Sequence, residues 1–405
     1  MNFLINSLEV GKKMIGLFSF DGPMYRDCNG VYCNTTITSE MFSRYFQVVD
    51  KLIVVIRTMH LEVTYEEANL KKVEFNGLEF VEIPNLNSIN GFLIDRQKYK
   101  KVIKEQVEKA DLIFARMPSV ISDITIYYAR KMKKQYMVEV GGCAWDAYWN
   151  HGLKGKLVAP YMFLNELKGV KHADFATYVT EDWLQKRYPS NCNAISASNV
   201  YLEELSEEVL NMRYKKIRSK KKDAPMIIGT TAAVNVKYKG QEYIIKAISE
   251  LNRKGFNFEY ELVGGGDNSY LKKIAESEGV ADKVRFKGLM LQSEVFKWLD
   301  SIDVYAQPSK QEGLPRALIE ALSRGCPAIG SMTAGIPELI QPNMLFEKGH
   351  IKQICSILIE ITKVDLSTVA SENFSRAKKF ELENLDNKRR KIYKEYSKSI
   401  ITKCN

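Results

Sequence analysis

Short apolar runs alternate with helix-prone segments along most of the chain. Residues 52–57 and 302–306 form mostly apolar runs of strand length, typical of strands buried on both faces of a parallel sheet. Residues 99–109 and 121–134 are helix-prone and lie between such runs. Strands that alternate with helices in this way predict an α/β fold with a parallel sheet and crossover helices.

The alternation occurs in two series. The first predicts strands at residues 14–20, 52–57, 80–84, 111–116, 135–140, 176–179 and 194–197. After a charged, helix-prone connector at 201–223, the second predicts strands at 226–229, 258–263, 284–286, 302–306, 327–330 and 344–346. A chain of 405 residues is longer than one hydrophobic core usually supports, so two domains are expected.

The segment 302–327 combines a strand, a loop, a helix and a stop signal. Pro315 suits the first position of a helix, and Gly325 suits its left-handed end. Glu312 then lies in the loop beyond the strand, and Glu320 lies about a turn and a half into the helix. Either glutamate alone is ordinary, as a favourable charge at a helix start or as a solvated side chain. Together they can face the crevice where open α/β sheets bind ligands.

Five strands of the second series each lead into a distinctive loop. Because parallel strands end on one edge of a sheet, the loops are expected to lie together. They contain lysine side chains and several glycines that expose backbone amides, which suit a diphosphate, and two carboxylates, which suit the hydroxyl groups of ribose and sugar. Each feature alone is weak evidence for a binding site, and the prediction depends on their repetition on one edge of the sheet. The loops are residues 236–240, 264–266, 288–290, 312–314 and 334–338.

Three segments of the second series are distinctive: Glu-Gly-Leu-Pro-Arg-Ala-Leu-Ile-Glu-Ala at 312–321, Arg-Gly-Cys-Pro-Ala-Ile-Gly at 324–330 and Ala-Gly-Ile-Pro-Glu-Leu-Ile at 334–340. Through these segments, residues 226–346 resemble the retaining, nucleotide-sugar-dependent glycosyltransferases of the large Glu-x7-Glu family, glycosyl transferases group 1, which includes many enzymes of bacterial polysaccharide assembly. The resemblance implies the GT-B fold, two Rossmann-like domains with a cleft between them. The expected parts are an acceptor-side domain (1–205), a nucleotide-sugar-binding domain (206–383) and a helix that crosses back (384–405).

The resemblance also implies roles at matching positions. Glu312 would contact the transferred sugar near its reacting centre, and Lys239 would neutralise the leaving diphosphate as charge develops. Glu320 would hold the ribose hydroxyls. Further donor-binding positions are Gly313, Leu314, Gly265, Leu289 and Arg316. The implied reaction transfers a sugar with retention from a UDP- or GDP-sugar to a glycan or polyprenyl-linked glycan acceptor, with no metal and no other cofactor.

The chain departs from the family pattern in two places. An arginine often precedes the lysine in a Gly-Arg-Leu-like segment, whereas residues 229–232 read Gly-Thr-Thr-Ala, with Lys237 or Arg316 as candidate substitutes. A first-domain histidine is replaced by Gly-Gly-Cys-Ala-Trp-Asp at 141–146. Acceptor-side roles are therefore hypotheses that rest on Gly30, Arg116 and Asp146.

The composition and net charge of the chain favour some classes of binding partner over others. A net charge of +10 favours an anionic partner, and the absence of a nucleic-acid motif points to sugar nucleotides or anionic lipid surfaces. Residues 158–173 predict a helix with Phe163, Leu164 and Leu167 on one side, suited either to a membrane surface or to its own sheet. Residues 1–20 make a poor signal peptide, and seven cysteines form no paired framework. A cytoplasmic protein, with peripheral contact at the inner membrane face as an option, is the expectation.

Three other functions fit parts of the pattern. A nicotinamide dehydrogenase would require GxGxxG after a strand, a spacing that residues 264–266 lack. A sugar-nucleotide epimerase or hydrolase of GT-B fold would act without a glycan acceptor. A non-catalytic sugar-nucleotide-binding protein would account for the missing arginine.

Overall fold

The structure is a computed structural model that describes residues 13–88, 91, 95–150, 152–202, 205–221 and 223–404. Most of the segment that argues against a signal peptide, residues 1–12, lies outside the described residues. Two separate sheets organise the described chain, one of nine strands and one of six.

The first sheet is built around seven parallel strands in the order β5-β3-β1-β6-β7-β8-β9. β2 and β4 extend it by antiparallel pairing at the end of β1. Its strands are β1 (Ile15–Arg26), β2 (Tyr32–Asn34), β3 (Lys51–His60), β4 (Lys71–Lys72), β5 (Leu78–Ile83), β6 (Leu112–Met117), β7 (Met137–Val140), β8 (Phe175–Tyr178) and β9 (Asn193–Ser196). The helices of this half are α1 (Ser39–Ser43), α2 (Arg96–Lys109), α3 (Val120–Lys131), α4 (Ala144–Trp149), α5 (Gly152–Lys171) and α6 (Trp183–Arg187).

The second sheet is wholly parallel, with the order β12-β11-β10-β13-β14-β15. Its strands are β10 (Met226–Thr231), β11 (Phe258–Val263), β12 (Val284–Gly288), β13 (Val304–Gln307), β14 (Ala328–Ser331) and β15 (Leu345–Phe346). The helices are α7 (Glu207–Ser219), α8 (Gln241–Arg253), α9 (Ser269–Ser277), α10 (Gln292–Ser301), α11 (Arg316–Ser323), α12 (Ile351–Ile361), α13 (Leu366–Ala377) and α14 (Leu382–Cys404). In both sheets the strand order reverses beside the first strand, which is the Rossmann arrangement and creates a crevice at the carboxyl ends.

Amphipathic helices cover each sheet. In α8, Ile244, Ile248 and Leu251 recur at helical spacing and are fully buried in the core of the second sheet. The sequence pattern at 38–49 predicts a single helix, and that prediction is wrong in extent, since α1 ends at Ser43 and a 3-10 turn follows at Arg44–Gln47. That tighter turn accompanies the contacts of Arg44 with Glu139, a tertiary interaction that the local pattern does not show.

The chain passes between the two sheets at two adjacent places. The backbone N–H of Leu202 donates to the Phe380 carbonyl, and the N–H of Leu382 donates to the Leu202 carbonyl. Beyond that crossing, α14 packs on the first sheet, where the Tyr393 hydroxyl donates to Glu139 Oε1 at 2.8 Å. The exact domain limits at 205 and 383 stay predictions.

Candidate active site

The loop after β13 carries Glu312, whose carboxylate is nearly buried. Its Oε1 accepts hydrogen bonds from Lys239 Nζ at 2.7 Å and from Gln307 Nε2 at 3.0 Å. Gln307 is in turn held by Tyr305, whose hydroxyl donates to Gln307 Oε1 at 3.0 Å. The strand therefore fixes the carboxylate through a chain of side chains, and Lys239 supplies its counter-ion.

Lys239 reaches Glu312 because the loops after β10 and β13 touch. Lys239 ends a 3-10 turn, and Gly240 follows in the left-handed region with φ of 74°. A Cβ on Gly240 would lie 2.1 Å from the Pro308 carbonyl oxygen, so a side chain would force the loops apart. The Lys310 N–H also donates to the Tyr238 carbonyl at 2.7 Å, which ties the two loops at a second point.

Glu320 lies on α11 and is also nearly buried. Gln292 Nε2 donates to Glu320 Oε1 at 3.3 Å, so the carboxylate keeps acceptor capacity for a ligand. Burial raises the pKa of Glu320, and the charge of Arg316 and the hydrogen bond from Gln292 partly oppose that effect. The predicted helix end is confirmed, since Gly325 has φ of 58°; Pro315 is the residue before the helix rather than its first position.

Glu320 and Arg316 line a cavity of about 630 Å³ between the two halves of the molecule. Gln292 completes the wall from the second half, and Tyr25 and Asn34 are among the residues that the first half contributes. The cavity size is in the range of small-molecule sites. Of the two candidate substitutes for the missing arginine, Arg316 is in this wall, whereas Lys237 Nζ lies 4.6 Å from the Tyr270 ring centroid.

The glycine loop after β11 packs closely on its neighbours. A Cβ on Gly264 would lie 2.0 Å from the Ala232 carbonyl oxygen, and a Cβ on Gly265 would lie 3.0 Å from the Leu289 side chain. Leu289 itself is 83% exposed at the end of β12. The structure thus brings Gly265 and Leu289 together on the carboxyl edge and leaves the leucine open to a ligand.

The loop around Gly313 faces the first domain. A Cβ on Gly313 would lie 2.8 Å from the Gly141 carbonyl oxygen, at the end of β7. The Gly335 N–H donates to the Gly313 carbonyl at 2.9 Å, which links the loops after β13 and β14. Leu314 packs against the cores of both halves. Only a glycine permits so close an approach of the two backbones.

Two polar contacts hold the halves together beside these loops. Glu338 accepts hydrogen bonds from the backbone N–H groups of residues 181–183 at 2.6, 3.1 and 2.8 Å. Asn150 Nδ2 donates to Gln311 Oε1 at 2.7 Å. The first domain therefore meets the second directly at the residue before Glu312.

The three residues predicted to lie on the acceptor side occupy different kinds of position in the structure. Arg116 lines the cavity, but its guanidinium donates to Glu139 at 3.0 and 3.2 Å, so its charge is already paired. Gly30 lies in a turn against Arg26, and Asp146 lies on α4, where its charge helps to raise the pKa of Arg187. Among the residues described as lining the cavity, neither Gly30 nor Asp146 occurs.

Sequence reasoning missed the polar side chains that hold the two glutamates. Gln307 ends β13 and Gln292 begins α10, and neither stands out in the sequence as more than an ordinary amide. It also missed the buried cluster around Glu139, which lies under Arg116. The only available signal for Glu139 is a charge inside a buried strand, which usually requires a partner.

Among the residues that the structure describes, no group of three or more His, Cys, Asp and Glu side chains is placed to hold a metal ion. Within those ranges, none of the helices combines the length and apolar character that crossing a bilayer requires.

Comparison with solved structures decides the fold. HepE of Anabaena in complex with UDP superposes with a TM-score of 0.63 at 13% identity, over 93% of this chain and 98% of that one. A sucrose-phosphate synthase of Thermosynechococcus elongatus gives 0.65 at 14% identity, over 96% of this chain and 100% of that one. The fold is GT-B. The expected pair of Rossmann-like domains is confirmed.

Sequence comparisons point to the same class of protein. Residues 225–363 match the family model described as Glycosyl transferases group 1. Protein CapJ of Staphylococcus aureus is 29% identical over 393 residues, which cover 95% of this chain and 96% of that protein. The amylovoran biosynthesis glycosyltransferase AmsK of Erwinia amylovora is 30% identical over 209 residues, 48% of this chain and 49% of that protein. These matches support a glycosyltransferase.

Proposed function

We propose that this chain is a retaining glycosyltransferase that moves a sugar from a nucleotide-diphosphate sugar to a glycan or lipid-linked glycan acceptor in surface polysaccharide assembly. The observation that carries the proposal is the placement of Glu312, Glu320 and Lys239 along one carboxyl edge, where Glu320 lines a cavity between two Rossmann-like domains. Relatives named for polysaccharide biosynthesis, and a structural neighbour solved with UDP-glucose, support the donor and acceptor classes.

The proposed donor pose follows from the positions of the charges. Glu320 would accept hydrogen bonds from the ribose hydroxyls, and Leu289 would contact the base from its exposed position at the end of β12. Lys239 has three ammonium donors, so it can keep its bond to Glu312 and also donate to a phosphate oxygen. The diphosphate would therefore lie between the ribose at Glu320 and the sugar at Glu312.

The chemical step would break the bond from the anomeric carbon to the diphosphate and form one to an acceptor hydroxyl on the same face, with the hydroxyl proton passing to the departing phosphate. Negative charge would develop on the departing phosphate oxygen, and the Lys239 ammonium, held 2.7 Å from Glu312 Oε1, would stabilise it. Glu312 would orient the sugar and balance positive charge near its anomeric carbon. No step of this scheme requires a metal.

The first experiment is a thermal-shift series with UDP-, GDP-, ADP- and CDP-sugars on the purified chain. One donor is expected to stabilise the wild type, and Glu320→Gln is expected to weaken its binding about tenfold or more, because a charge-assisted hydrogen bond is worth roughly 1.5–3 kcal/mol. Glu312→Gln and Lys239→Met are expected to lower turnover more than donor binding. Glu360→Gln, at an exposed position on α12, is the matched control.

Two results would contradict the proposal. If no nucleotide sugar stabilises the wild type, the cavity is not a donor site. If Glu312→Ala keeps full transfer activity with normal donor binding, the catalytic assignment fails even though the donor site stands. Release of free sugar without transfer to any glycan would instead indicate a hydrolase.

A further inference from the structure

Within the part of the chain that the structure describes, helix α5 exposes four large side chains to solvent. Leu153, Leu157, Tyr161 and Leu164 are 81%, 83%, 50% and 59% exposed. At 3.6 residues per turn these positions fall within about 80° of one another, so they form one continuous line, here called the apolar stripe. Soluble proteins rarely leave a contiguous apolar line of this kind in water without a use for it.

The stripe differs from the apolar side that the sequence predicts for this helix. Phe163 and Leu167 pack against the core of the first sheet, and only Leu164 of the predicted three is exposed. Half of the buried positions described for α5 are glycine or alanine, which lets the helix lie close to the sheet. These positions are Gly155, Ala159, Met162, Glu166, Gly169 and Val170. The predicted packing of α5 on its own sheet is confirmed for one face, and a second face is apolar and exposed. The predicted membrane contact stays a prediction.

A cavity of about 400 Å³ lies beside the stripe, between α2, α3 and α5. Arg96, Lys100, Arg130 and Lys168 line it, and Tyr161 belongs to both the cavity and the stripe. Among the described residues that line this basic groove, four are cations and one, Asp123, is a carboxylic acid. Burial, with the nearby charge of Asp21, raises the pKa of Asp123 to about 8, so this carboxyl is mostly neutral near pH 7 and opposes an anion little.

Cations also border the stripe along the helix. Lys154 and Lys156 lie near its start, and Lys168 and Lys171 continue the same face in the last turn. Trp149 lies just before the helix, 38% exposed, with Lys156 Nζ 5.5 Å from its ring centroid. Protein interfaces exclude charge from their cores, whereas lysines flanking leucines and a tryptophan suit the headgroup region of an anionic bilayer.

The stripe starts close to the proposed reaction centre. Asn150, immediately before α5 along the described chain, donates to Gln311, the neighbour of Glu312. A membrane bound by α5 would therefore lie next to the opening of the cleft. A membrane-anchored acceptor could enter the cleft from that side without leaving the bilayer.

We infer that the apolar stripe and the basic groove form a docking surface for an anionic phospholipid bilayer, with the leucines inserted among the lipids and a lipid phosphate in the groove. Such a surface would place the proposed reaction at a membrane. The inference rests on the proposed function only for the nature of the acceptor. Binding to vesicles needs no turnover, so failure of docking and failure of sugar transfer are separate results.

The test is sedimentation of the full chain with vesicles of phosphatidylcholine alone or mixed with phosphatidylglycerol. The stripe variant is Leu157→Ser with Leu164→Ser, and the groove variant is Lys100→Gln with Lys168→Gln. The matched control is Val364→Ser with Lys352→Gln, two exposed positions on the second domain. Melting temperatures and donor binding of all three variants are measured alongside, to establish that each is folded.

The wild type is expected to sediment with anionic vesicles and not with neutral ones. The groove variant should bind about 25-fold more weakly, at roughly fivefold per cation. The stripe variant should lose at least about tenfold, since each leucine loses burial in the bilayer. The control variant should bind like the wild type.

Several outcomes would overturn the inference. One is a wild type that fails to sediment with anionic vesicles, and another is equal loss of binding in the stripe and control variants. Release by inorganic phosphate together with full binding by the stripe variant would identify a free-phosphate site instead. Self-association that the stripe variant abolishes, without any lipid binding, would assign the face to a second copy of the chain.

Discussion

Glu139 is at the centre of a buried cluster of charged side chains, and Glu139→Gln is expected to destabilise the first domain severely. Its carboxylate accepts hydrogen bonds from Arg44 at 2.9 Å, from Arg116 at 3.0 and 3.2 Å, and from the hydroxyls of Tyr45 and Tyr393 at 2.7 and 2.8 Å. Removing the charge leaves two buried guanidiniums without a counter-ion. Breaking a buried pair in this way typically costs about 3–5 kcal/mol.

The titration of Glu139 supports a similar magnitude. Burial alone raises the pKa of this carboxyl, but Arg44 and Arg116, helped by Tyr45 and Tyr393, outweigh it and lower the pKa to about 2. A glutamate that titrates near pH 4.3 when unfolded then contributes roughly 3 kcal/mol above that pH. Because the folded pKa is the lower one, this stability is lost as the pH falls from about 4 toward 2.

The assay is thermal unfolding of the wild type, Glu139→Gln and a control, Glu79→Gln. Glu79 pairs with Lys51 at 2.6 Å on the same domain, but its side chain is 58% exposed, so little loss is expected. For a domain of about 200 residues, 3 kcal/mol corresponds to a fall in Tm of roughly 6–12 °C. Equal Tm values for the two variants would refute the reasoning, as would a Glu139→Gln protein that keeps the acid sensitivity of the wild type.

Two further predictions concern the cleft. Gly313→Ala would place a methyl group against the Gly141 carbonyl oxygen and is expected to lower kcat/KM about 10–100-fold. The control is Gly142→Ala, whose Cβ meets only Pro118 Cδ at 3.7 Å and which should change kcat/KM little. Similar rates of nucleoside diphosphate release in the two variants would contradict this prediction. Burial raises the pKa of Glu320, so donor affinity should fall as the pH decreases, and the midpoint of that fall should lie above the ordinary glutamate range. The Glu320→Gln protein should show no such midpoint when donor affinity is measured across the acid range.

Local patterns were sufficient for most of the fold. Strand β11 coincides with its predicted residues 258–263, because a segment of that length, bounded by Asn257 and Gly264, fits few secondary structures other than a buried strand. The end of α11 at Gly325 was likewise predictable, since a left-handed residue at a helix end favours glycine. The end of the short helix α1 was not predictable in this way, and the 3-10 turn that follows it carries Arg44, which contacts Glu139 on a distant strand.

The grouping of Glu312, Glu320 and Lys239 on one edge was determined by the sequence alone, because parallel strands place their following loops together whatever surrounds them. The tertiary structure decided which side chains remain available within that edge. It pairs Arg116 with Glu139, and it joins Glu312 to Lys239 through two loops that touch at Gly240. It also decided which face of α5 is open to solvent. These outcomes depend on contacts between residues far apart in the chain, and hydrophobic periodicity records only which residues share a face, not what that face meets.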